Sequence, residues 1–198
     1  MMNTATVLRA ALFAAGKHKD QRRKDAHASP YINHPIALAS LLANEGGVSD
    51  ADVLCAALLH DTIEDTETTA EELQKAFGAV VTSIVLEATD DKSLNKAERK
   101  RLKIEHASGA SPQAKLVILA DQICNMRDIL STPPMGWSTE RKQAYFCWSQ
   151  EVVAGVRGIH SQLEAIFDGL LARQKELQSA PAVTCQDGTV GEGHSSSE

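Results

Sequence analysis

Residues 53–65 read Val53-Leu54-Cys55-Ala56-Ala57-Leu58-Leu59-His60-Asp61-Thr62-Ile63-Glu64-Asp65. An apolar run is followed here by one histidine and three acids. A helix that is apolar on all sides is normally buried. Burying the acidic end of such a helix is costly unless a cation or another partner compensates the carboxylates. This stretch therefore predicts a helical core and, at the end of the buried helix, a bound metal ion.

The composition of the whole chain also favours packed helices. The chain has 198 residues, of which 43% are hydrophobic and only 4% aromatic, and Ala and Leu are abundant. Few aromatic residues favour helices over sheets, and the length suits one domain with a real core. We expect an all-α helical bundle over residues 1–178. Residues 179–198 lack hydrophobic periodicity, which predicts a disordered tail.

Charge and hydropathy argue against several classes of protein. The net charge is −6, so the overall charge does not attract a nucleic-acid polymer. No apolar run approaches the roughly 18 residues of a membrane span, and the N-terminal charges follow the apolar stretch, unlike those of a secretory signal. Four widely spaced cysteines without a CxxC pair favour reduced thiols. We expect a soluble, cytoplasmic protein of undetermined oligomeric state.

Two further metal ligands are predicted far from residues 53–65. Asn33-His34-Pro35 begins a predicted helix, with Asn33 as its cap, so His34 stands at the helix mouth. Asp121 follows the apolar residues 116–120 inside another helix, where a carboxylate is almost never buried unpaired. A salt bridge to Lys115 or Arg127 is the alternative explanation of Asp121.

The predicted metal site has two imidazoles and two carboxylates, from His34, His60, Asp61 and Asp121. These donors suit a divalent ion that keeps one or two positions for water, rather than a closed structural zinc site. If the helix continues past Asp61, the pairs His60–Glu64 and Asp61–Asp65 each share one face. The same face would then hold metal ligands and two additional carboxylates.

A basic cluster upstream of His34 is the second candidate site. It comprises Lys17, Lys19, Arg22, Arg23 and Lys24, with one acid, Asp20, among them. One interpretation is a solvated helix end, where cations complement the C-terminal dipole. The other interpretation is an anion-binding wall beside the metal.

Four motifs occur in order within residues 5–170: Tyr31-Ile32-Asn33-His34-Pro35, then residues 57–66 around His60-Asp61, then Thr89-Asp90-Asp91-Lys92, then residues 115–121 with Asn125-Met126-Arg127-Asp128. Together they resemble the hydrolase domain of RelA/SpoT proteins, and most closely the stand-alone small alarmone hydrolases related to the metazoan SpoT-like enzyme. The chain departs from the family at Gln122 and Cys124, where a lysine and a bulky or aromatic residue are usual.

The resemblance implies an all-helical HD-domain fold and a manganese-dependent hydrolase. Its reaction would remove the 3′-pyrophosphate of guanosine tetra- and pentaphosphate, (p)ppGpp, giving GDP or GTP. His34, His60, Asp61 and Asp121 would hold one manganese ion, although other divalent ions are compatible. Glu64 and Asp65 would position and deprotonate the attacking water. The substrate would contact Arg22, Arg23, Lys24, Lys92, Asn125 and Tyr145.

Two alternative functions remain open. The first is another phosphohydrolase activity of the same site, such as removal of the 2′-phosphate of NADPH or hydrolysis of other nucleotides. The second is a metal-binding module that senses a nucleotide without turnover. Glu64 and Asp65 argue against the module, because a binder gains nothing from two more acids beside a metal site.

Overall fold

The protein is a bundle of helices over residues 3–177, the part of the chain that the computed structural model describes. The α-helices are α1 (Thr4–Lys17), α2 (Asn33–Ser40), α3 (Ala51–Leu59), α4 (Thr62–Asp65), α5 (Ala70–Phe77), α6 (Ala79–Ala88), α7 (Lys96–Ala107), α8 (Pro112–Ser131), α9 (Thr139–Ala154) and α10 (Ser161–Ala172). A π-helical turn, Leu41–Glu45, extends α2, and a 3₁₀ turn, Arg173–Leu177, follows α10.

The expected all-α class is confirmed, since no strand forms between residues 3 and 177 and the extended segments pair only at an isolated bridge between Arg22 and Pro30. The tail predicted for residues 179–198 lies outside the described residues. Within the described residues, no helix is long and apolar enough to cross a membrane.

Helix α3 is the centre of the hydrophobic core. Every residue from Val53 to Leu59 is buried, and α3 packs against α1, α2, α6 and α8. Burying one large aliphatic side chain contributes about 1.5–3 kcal/mol, so the contacts of α3 stabilise the packing of these four helices. The prediction that an all-apolar helix is buried is confirmed. The end of α3 is consequently held in the interior together with His60.

Two of the cysteines are buried free thiols, Cys55 and Cys124, as expected for small core residues. Burial raises the pKa of Cys55 to about 11 and that of Cys124 to about 12, so both remain protonated at neutral pH.

The start of α2 differs from the prediction. Asn33 is the first helical residue, and the cap position is Ile32, whose side chain makes no capping hydrogen bond. The reason is a turn that leads into the helix: the N–H groups of Asn33 and His34 donate to the carbonyls of Pro30 and Tyr31. Because backbone acceptors already serve these donors, no side-chain cap is needed.

The chain does not continue as one helix through His60 and Asp61. Helix α3 ends at Leu59, Asp61 has φ −96° and ψ −2°, and the chain resumes as the single turn α4. The Thr62 hydroxyl donates to the Leu59 carbonyl at 2.7 Å, which satisfies a terminal acceptor of α3. The condition for the shared faces of His60 with Glu64 and of Asp61 with Asp65, a single helix that continues past Asp61, is therefore not met.

Candidate active site

The four predicted metal ligands converge from α2, the α3–α4 junction and α8. Nε2 of His34 lies 3.1 Å from Oδ1 of Asp121 and 4.0 Å from Oδ2 of Asp61. Nε2 of His60 lies 3.0 Å from Oδ2 of Asp61 and 3.8 Å from Oδ1 of Asp121. Both imidazoles are buried, and both carboxylates are largely buried. The fold thus brings together residues that are up to 87 positions apart in sequence.

The donor atoms of this cluster fit a divalent cation. One donor atom each from His34, His60 and Asp121 lies within 4.8 Å of the other two, while Asp61 stands beside this group through its contacts with both imidazoles. Nδ1 of His60 lies 2.8 Å from the Ala57 carbonyl and donates to it, so in the neutral imidazole that would bind an ion the lone pair is on Nε2. That Nε2 is buried without a hydrogen-bond partner, which a coordinated ion would supply.

The electrostatics of the cluster favour positive charge. Burial lowers the pKa of His60, but the carboxylates of Asp61 and Asp121 outweigh this effect and raise it to about 9. For Asp61, burial raises the pKa, yet the His60 and His34 rings and the Tyr31 hydroxyl bring it well below its usual range. The site therefore stabilises a cation among its carboxylates.

Neighbouring polar side chains hold the carboxylate ligands in place. The Tyr31 hydroxyl donates to Oδ2 of Asp61 at 2.5 Å. Asn125 donates to Oδ1 of Asp121 at 2.7 Å, and Gln122 donates to Oδ2 of Asp121 at 3.2 Å. Such partners fix the orientation of metal ligands. The sequence marked Gln122 only as a departure from the family, and its contact with Asp121 was not foreseen.

The alternative salt bridge between Asp121 and Arg127 does not form. Arg127 makes a bidentate ion pair with Glu45 instead, at 2.7 and 2.8 Å. The partners of Asp121 are imidazole and amide groups instead. A buried carboxylate without a guanidinium or ammonium partner in direct contact agrees with a metal-ligand role.

Glu64 lies beside the cluster and faces the α6–α7 loop. Its Oε2 accepts a hydrogen bond from the backbone N–H of Asp90 at 3.1 Å. Burial raises the pKa of Glu64 to about 7, and the charges of Asp61 and Asp90 act in the same direction. The Asp90 N–H and the charge of Lys103 partly oppose this rise. A carboxyl group that titrates near neutral pH can both accept and donate a proton there.

Asp65 contacts both the α1–α2 loop and the α6–α7 loop. Its Oδ2 accepts from Nε2 of Gln21 at 2.8 Å, and its Oδ1 contacts the ammonium of Lys92. Nδ1 of His18 lies 2.6 Å from Oε1 of Gln21, so His18 orients the amide that holds Asp65. His18, which follows the last residue of α1, is buried against Tyr31 with ring centroids 4.9 Å apart.

The basic cluster divides into two parts with different environments. Lys17 pairs with Glu72 at 2.8 Å, and Lys19 lies on the exposed surface, in agreement with a solvated helix end. Arg22, Arg23 and Lys24 line a cavity of about 690 Å³ together with Asp65, Lys92 and Asn125. Arg23 is held there by an ion pair with Asp128, and its guanidinium lies 5.6 Å from the centre of the Tyr31 ring.

A second cavity of about 600 Å³ adjoins the first and contains Asp61, Glu64 and Asp121 in its wall. The two cavities share Lys24, Tyr31, His34, Asn125, Trp137 and Tyr145. The rest of the lining of the second cavity is strongly basic and aromatic and includes Lys96, Arg99, Lys100, Lys103, Arg141 and Trp148. Burial lowers the pKa of Lys96 and Lys100, and neighbouring cations lower it further, as expected where an anion would be bound.

Four of the cations in this cavity, Lys96, Arg99, Lys100 and Lys103, belong to α7, and the sequence alone could not place them here. Sequence periodicity indicates which residues share a helix face, whereas the packing of α7 against α9 decides where that face points. Tyr145, which was predicted to line the pocket, does so between Trp137 and Trp148, with ring centroids 6.0 and 5.2 Å away.

Comparison with known proteins agrees with this arrangement. The model of the HD domain family matches residues 10–145. A Xenopus tropicalis protein named guanosine-3′,5′-bis(diphosphate) 3′-pyrophosphohydrolase MESH1 is 55% identical over 172 residues, which cover 87% of this chain and 96% of that protein. The human protein of the same name is 55% identical over 170 residues, covering 86% and 95%.

A solved structure of a metazoan ortholog of SpoT that hydrolyses ppGpp superposes with a TM-score of 0.83 at 45% identity, covering 88% of this chain and 97% of that one. These similarities extend over nearly the full length of the relatives. They include the helices that hold the imidazole and carboxylate cluster. The chain therefore belongs to the HD domain family and, within it, to the same family as the MESH1 relatives.

Proposed function

We propose that this protein is a metal-dependent hydrolase that removes the 3′-pyrophosphate of (p)ppGpp, releasing pyrophosphate and GDP or GTP. The observation that supports this most directly is the buried cluster of two imidazoles and two carboxylates, with Glu64 and Asp65 beside it and two basic cavities that meet there. The names of the relatives support the choice of substrate. A nucleotide substrate also fits the predicted cytoplasmic location.

The ligand set would hold one divalent ion, for which we propose manganese. His34, His60, Asp61 and Asp121 offer nitrogen and oxygen donors without a thiolate, which suits hard to borderline ions. When bound, such an ion supplies Lewis acidity, which polarises the phosphoryl group and eases deprotonation of the attacking water. Tyr31, Asn125 and Gln122 would keep the carboxylates oriented during the reaction.

Glu64 is suited to the proton transfers. With a pKa near 7 it would accept a proton from the water that attacks the 3′ phosphorus, and it could return a proton to the departing ribose 3′-oxygen. Asp65, held between Gln21 and Lys92, would orient the water and the phosphate. The bond that breaks joins phosphorus to the 3′-oxygen, and the bond that forms joins phosphorus to the water oxygen.

The two cavities fit a substrate with two phosphate groups on opposite sides of a ribose. The 3′-pyrophosphate would lie where the cavities meet, next to the metal ligands. The basic wall with Lys96, Lys100 and Arg141 would hold the 5′-phosphates. Arg22, Arg23, Lys24 and Asn125 would then contact the base and ribose in the first cavity, and Lys92 and Tyr145 would border the reacting phosphate.

The same site could act on the 2′-phosphate of NADPH, which is the second candidate substrate, because the metal ligands and the basic wall would serve either phosphate ester.

A nucleotide-sensing module without turnover remains the non-enzymatic alternative. The raised pKa of Glu64 beside the cluster supports hydrolysis over sensing, because a binding site for anions is weakened by additional acids.

The test is anion-exchange analysis of ppGpp incubated with metal-stripped protein, with and without added manganese. Asp61→Ala should abolish release of GDP and pyrophosphate. Asp168→Ala is the matched control, since Asp168 pairs with Arg157 on the exposed side of α10 and should leave turnover unchanged. NADPH serves as the second substrate. Nucleotide binding without consumption of either substrate would refute the hydrolase proposal in favour of the sensing module.

A further inference from the structure

A lysine from α7 is buried next to the carboxylates of the site. Nζ of Lys103 donates to the carbonyl of Ala88 at 2.8 Å and lies 2.9 Å from Oδ1 of Asp90. The Lys103 side chain is only 14% exposed, and it forms part of the wall that also contains Glu64 and Asp121. The sequence did not distinguish this lysine from the other cations of α7, and neither the metal cluster nor the proton transfers described above require it directly.

Both acceptors of Lys103 belong to the segment that leads away from the site. Ala88 is the last residue of α6, and Asp90 is the second residue of the loop between α6 and α7. By binding both, the ammonium ties this loop to the middle of α7. Lys92 ties the same loop to α4 through its contacts with Asp65 and Glu64, but residues 91–93 are exposed, so loss of the Lys103 contacts would loosen the loop at Asp90.

The same loop residue touches the proposed general base. The backbone N–H of Asp90 donates to Oε2 of Glu64 at 3.1 Å. The chain of contacts therefore runs from the Lys103 ammonium through the Asp90 carboxylate and backbone to the Glu64 carboxylate. A displacement of Asp90 by about 1 Å would remove the donor that orients Glu64, and a misplacement of that size can cost about 100-fold in rate.

The charge of Lys103 is maintained despite its burial. Burial lowers the pKa of Lys103, but Asp90, Asp121 and Glu64 together raise it above its usual value. A buried ammonium group is expensive unless charged partners compensate it. A neutral donor could satisfy the Ala88 carbonyl equally well, so helix capping alone does not account for a buried ammonium at this position.

We infer that Lys103 is a positioning residue of the hydrolytic reaction, which acts by fixing Asp90 so that the Asp90 amide holds Glu64 towards the attacking water. The inference rests on the proposed function, because the reaction that Lys103 would assist is the proposed hydrolysis. The physical link from Lys103 to Asp90 does not depend on the identity of the substrate.

Lys103→Met tests the inference, because methionine retains most of the apolar stem and removes the ammonium. We expect kcat to fall about 10- to 100-fold with KM within about twofold of wild type. Lys17→Met is the matched control: Lys17 also makes a 2.8 Å ion pair, is 27% exposed and lies outside both cavities. It should leave kcat and KM unchanged. A rise in KM with constant kcat would overturn the inference in favour of direct substrate binding by Lys103.

A double-mutant cycle with Glu64→Gln separates positioning from general stabilisation. If Lys103 acts through Glu64, Lys103→Met should change the residual kcat of Glu64→Gln by less than about twofold. The same loss in both backgrounds would show that Lys103 supports the fold rather than Glu64. Should Lys103→Met fail to unfold cooperatively, Lys103→Gln, which keeps a neutral donor, replaces it and should give a smaller loss of kcat in the same direction.

Amide hydrogen exchange gives a readout that is independent of turnover. In Lys103→Met, residues 89–92 should exchange faster than in wild type, while α3 remains protected. Unchanged exchange in residues 89–92 would refute the link between Lys103 and Asp90. If wild type fails to hydrolyse ppGpp but exchange in this segment still responds to Lys103→Met, the proposed function fails while the link from Lys103 to Asp90 stands.

Discussion

Replacing Gln122 by methionine tests whether α9 supports the metal site. Nε2 of Gln122 donates to Asp121 at 3.2 Å, Oε1 accepts from the Ser149 hydroxyl at 2.9 Å, and the residue is 1% exposed. Gln122→Met roughly preserves the length of the side chain but removes both hydrogen bonds. A bond to a charged acceptor contributes about 1.5–3 kcal/mol, and an unpaired buried hydroxyl costs about 1–3 kcal/mol. Greater apolar burial offsets roughly 1 kcal/mol, so we expect a loss of about 1.5–5 kcal/mol.

The effect of Ser149→Ala should change sign with the residue at position 122. In wild type it removes the donor to Oε1 of Gln122, which should cost about 1 kcal/mol. In Gln122→Met it removes a hydroxyl that has lost its oxygen acceptor, which should stabilise the protein by about 1–2 kcal/mol. The two residues should therefore show a coupling energy of about 2–3 kcal/mol.

Urea unfolding of the four proteins without metal measures these differences, with unchanged m-values as evidence for an unchanged transition. Gln143→Met is the control: Gln143 is also 1% exposed, but its Oε1 has no hydrogen-bond partner, so its loss should be close to neutral. If Ser149→Ala destabilises wild type and Gln122→Met equally, the two side chains do not form a network, and the support of Asp121 by α9 is refuted.

Three other predictions concern the metal and the acids. Tyr31→Phe should weaken manganese binding about 10- to 100-fold in a calorimetric titration, whereas Tyr145→Phe should not change it; equal affinity for Tyr31→Phe would show that the hydroxyl does not orient Asp61. Manganese at 100 times its Kd should stabilise the protein by about 2.7 kcal/mol and raise Tm by about 5–11 °C, which EDTA should reverse. In unfolded chains Glu64 titrates at its usual value of 4.5 and in the folded protein at about 7, so its ionisation opposes folding and the cost grows as the pH rises between these values. Metal-free Glu64→Gln should match wild type at pH 4 and exceed its free energy of unfolding by about 2–3 kcal/mol at pH 8; a constant difference over this range would exclude a raised pKa for Glu64.

The amino-acid sequence alone determined the helical class, the central helix and the chemistry of the cluster. The apolar run from Val53 to Leu59 predicts burial whatever packs around it, because such a helix has no polar face for water. His60 and Asp61 follow that run directly, so their place near the core follows from chain connectivity. Buried acids at Asp61 and Asp121 indicate a cation through the cost of unpaired charge, which does not depend on the fold.

Only the tertiary structure decided which groups meet. His34 and Asp121 lie 87 residues apart, and the packing of α2 and α8 against α3 brings them together. The interruption at Asp61 is likewise a matter of three-dimensional context, because local propensity allows the helix to continue there. The role of Gln122 depends on Ser149 in α9, and that of Lys103 depends on Asp90 in the α6–α7 loop. Sequence periodicity records which residues share a face but not which surface that face will contact, since the contact depends on the packing of the whole chain.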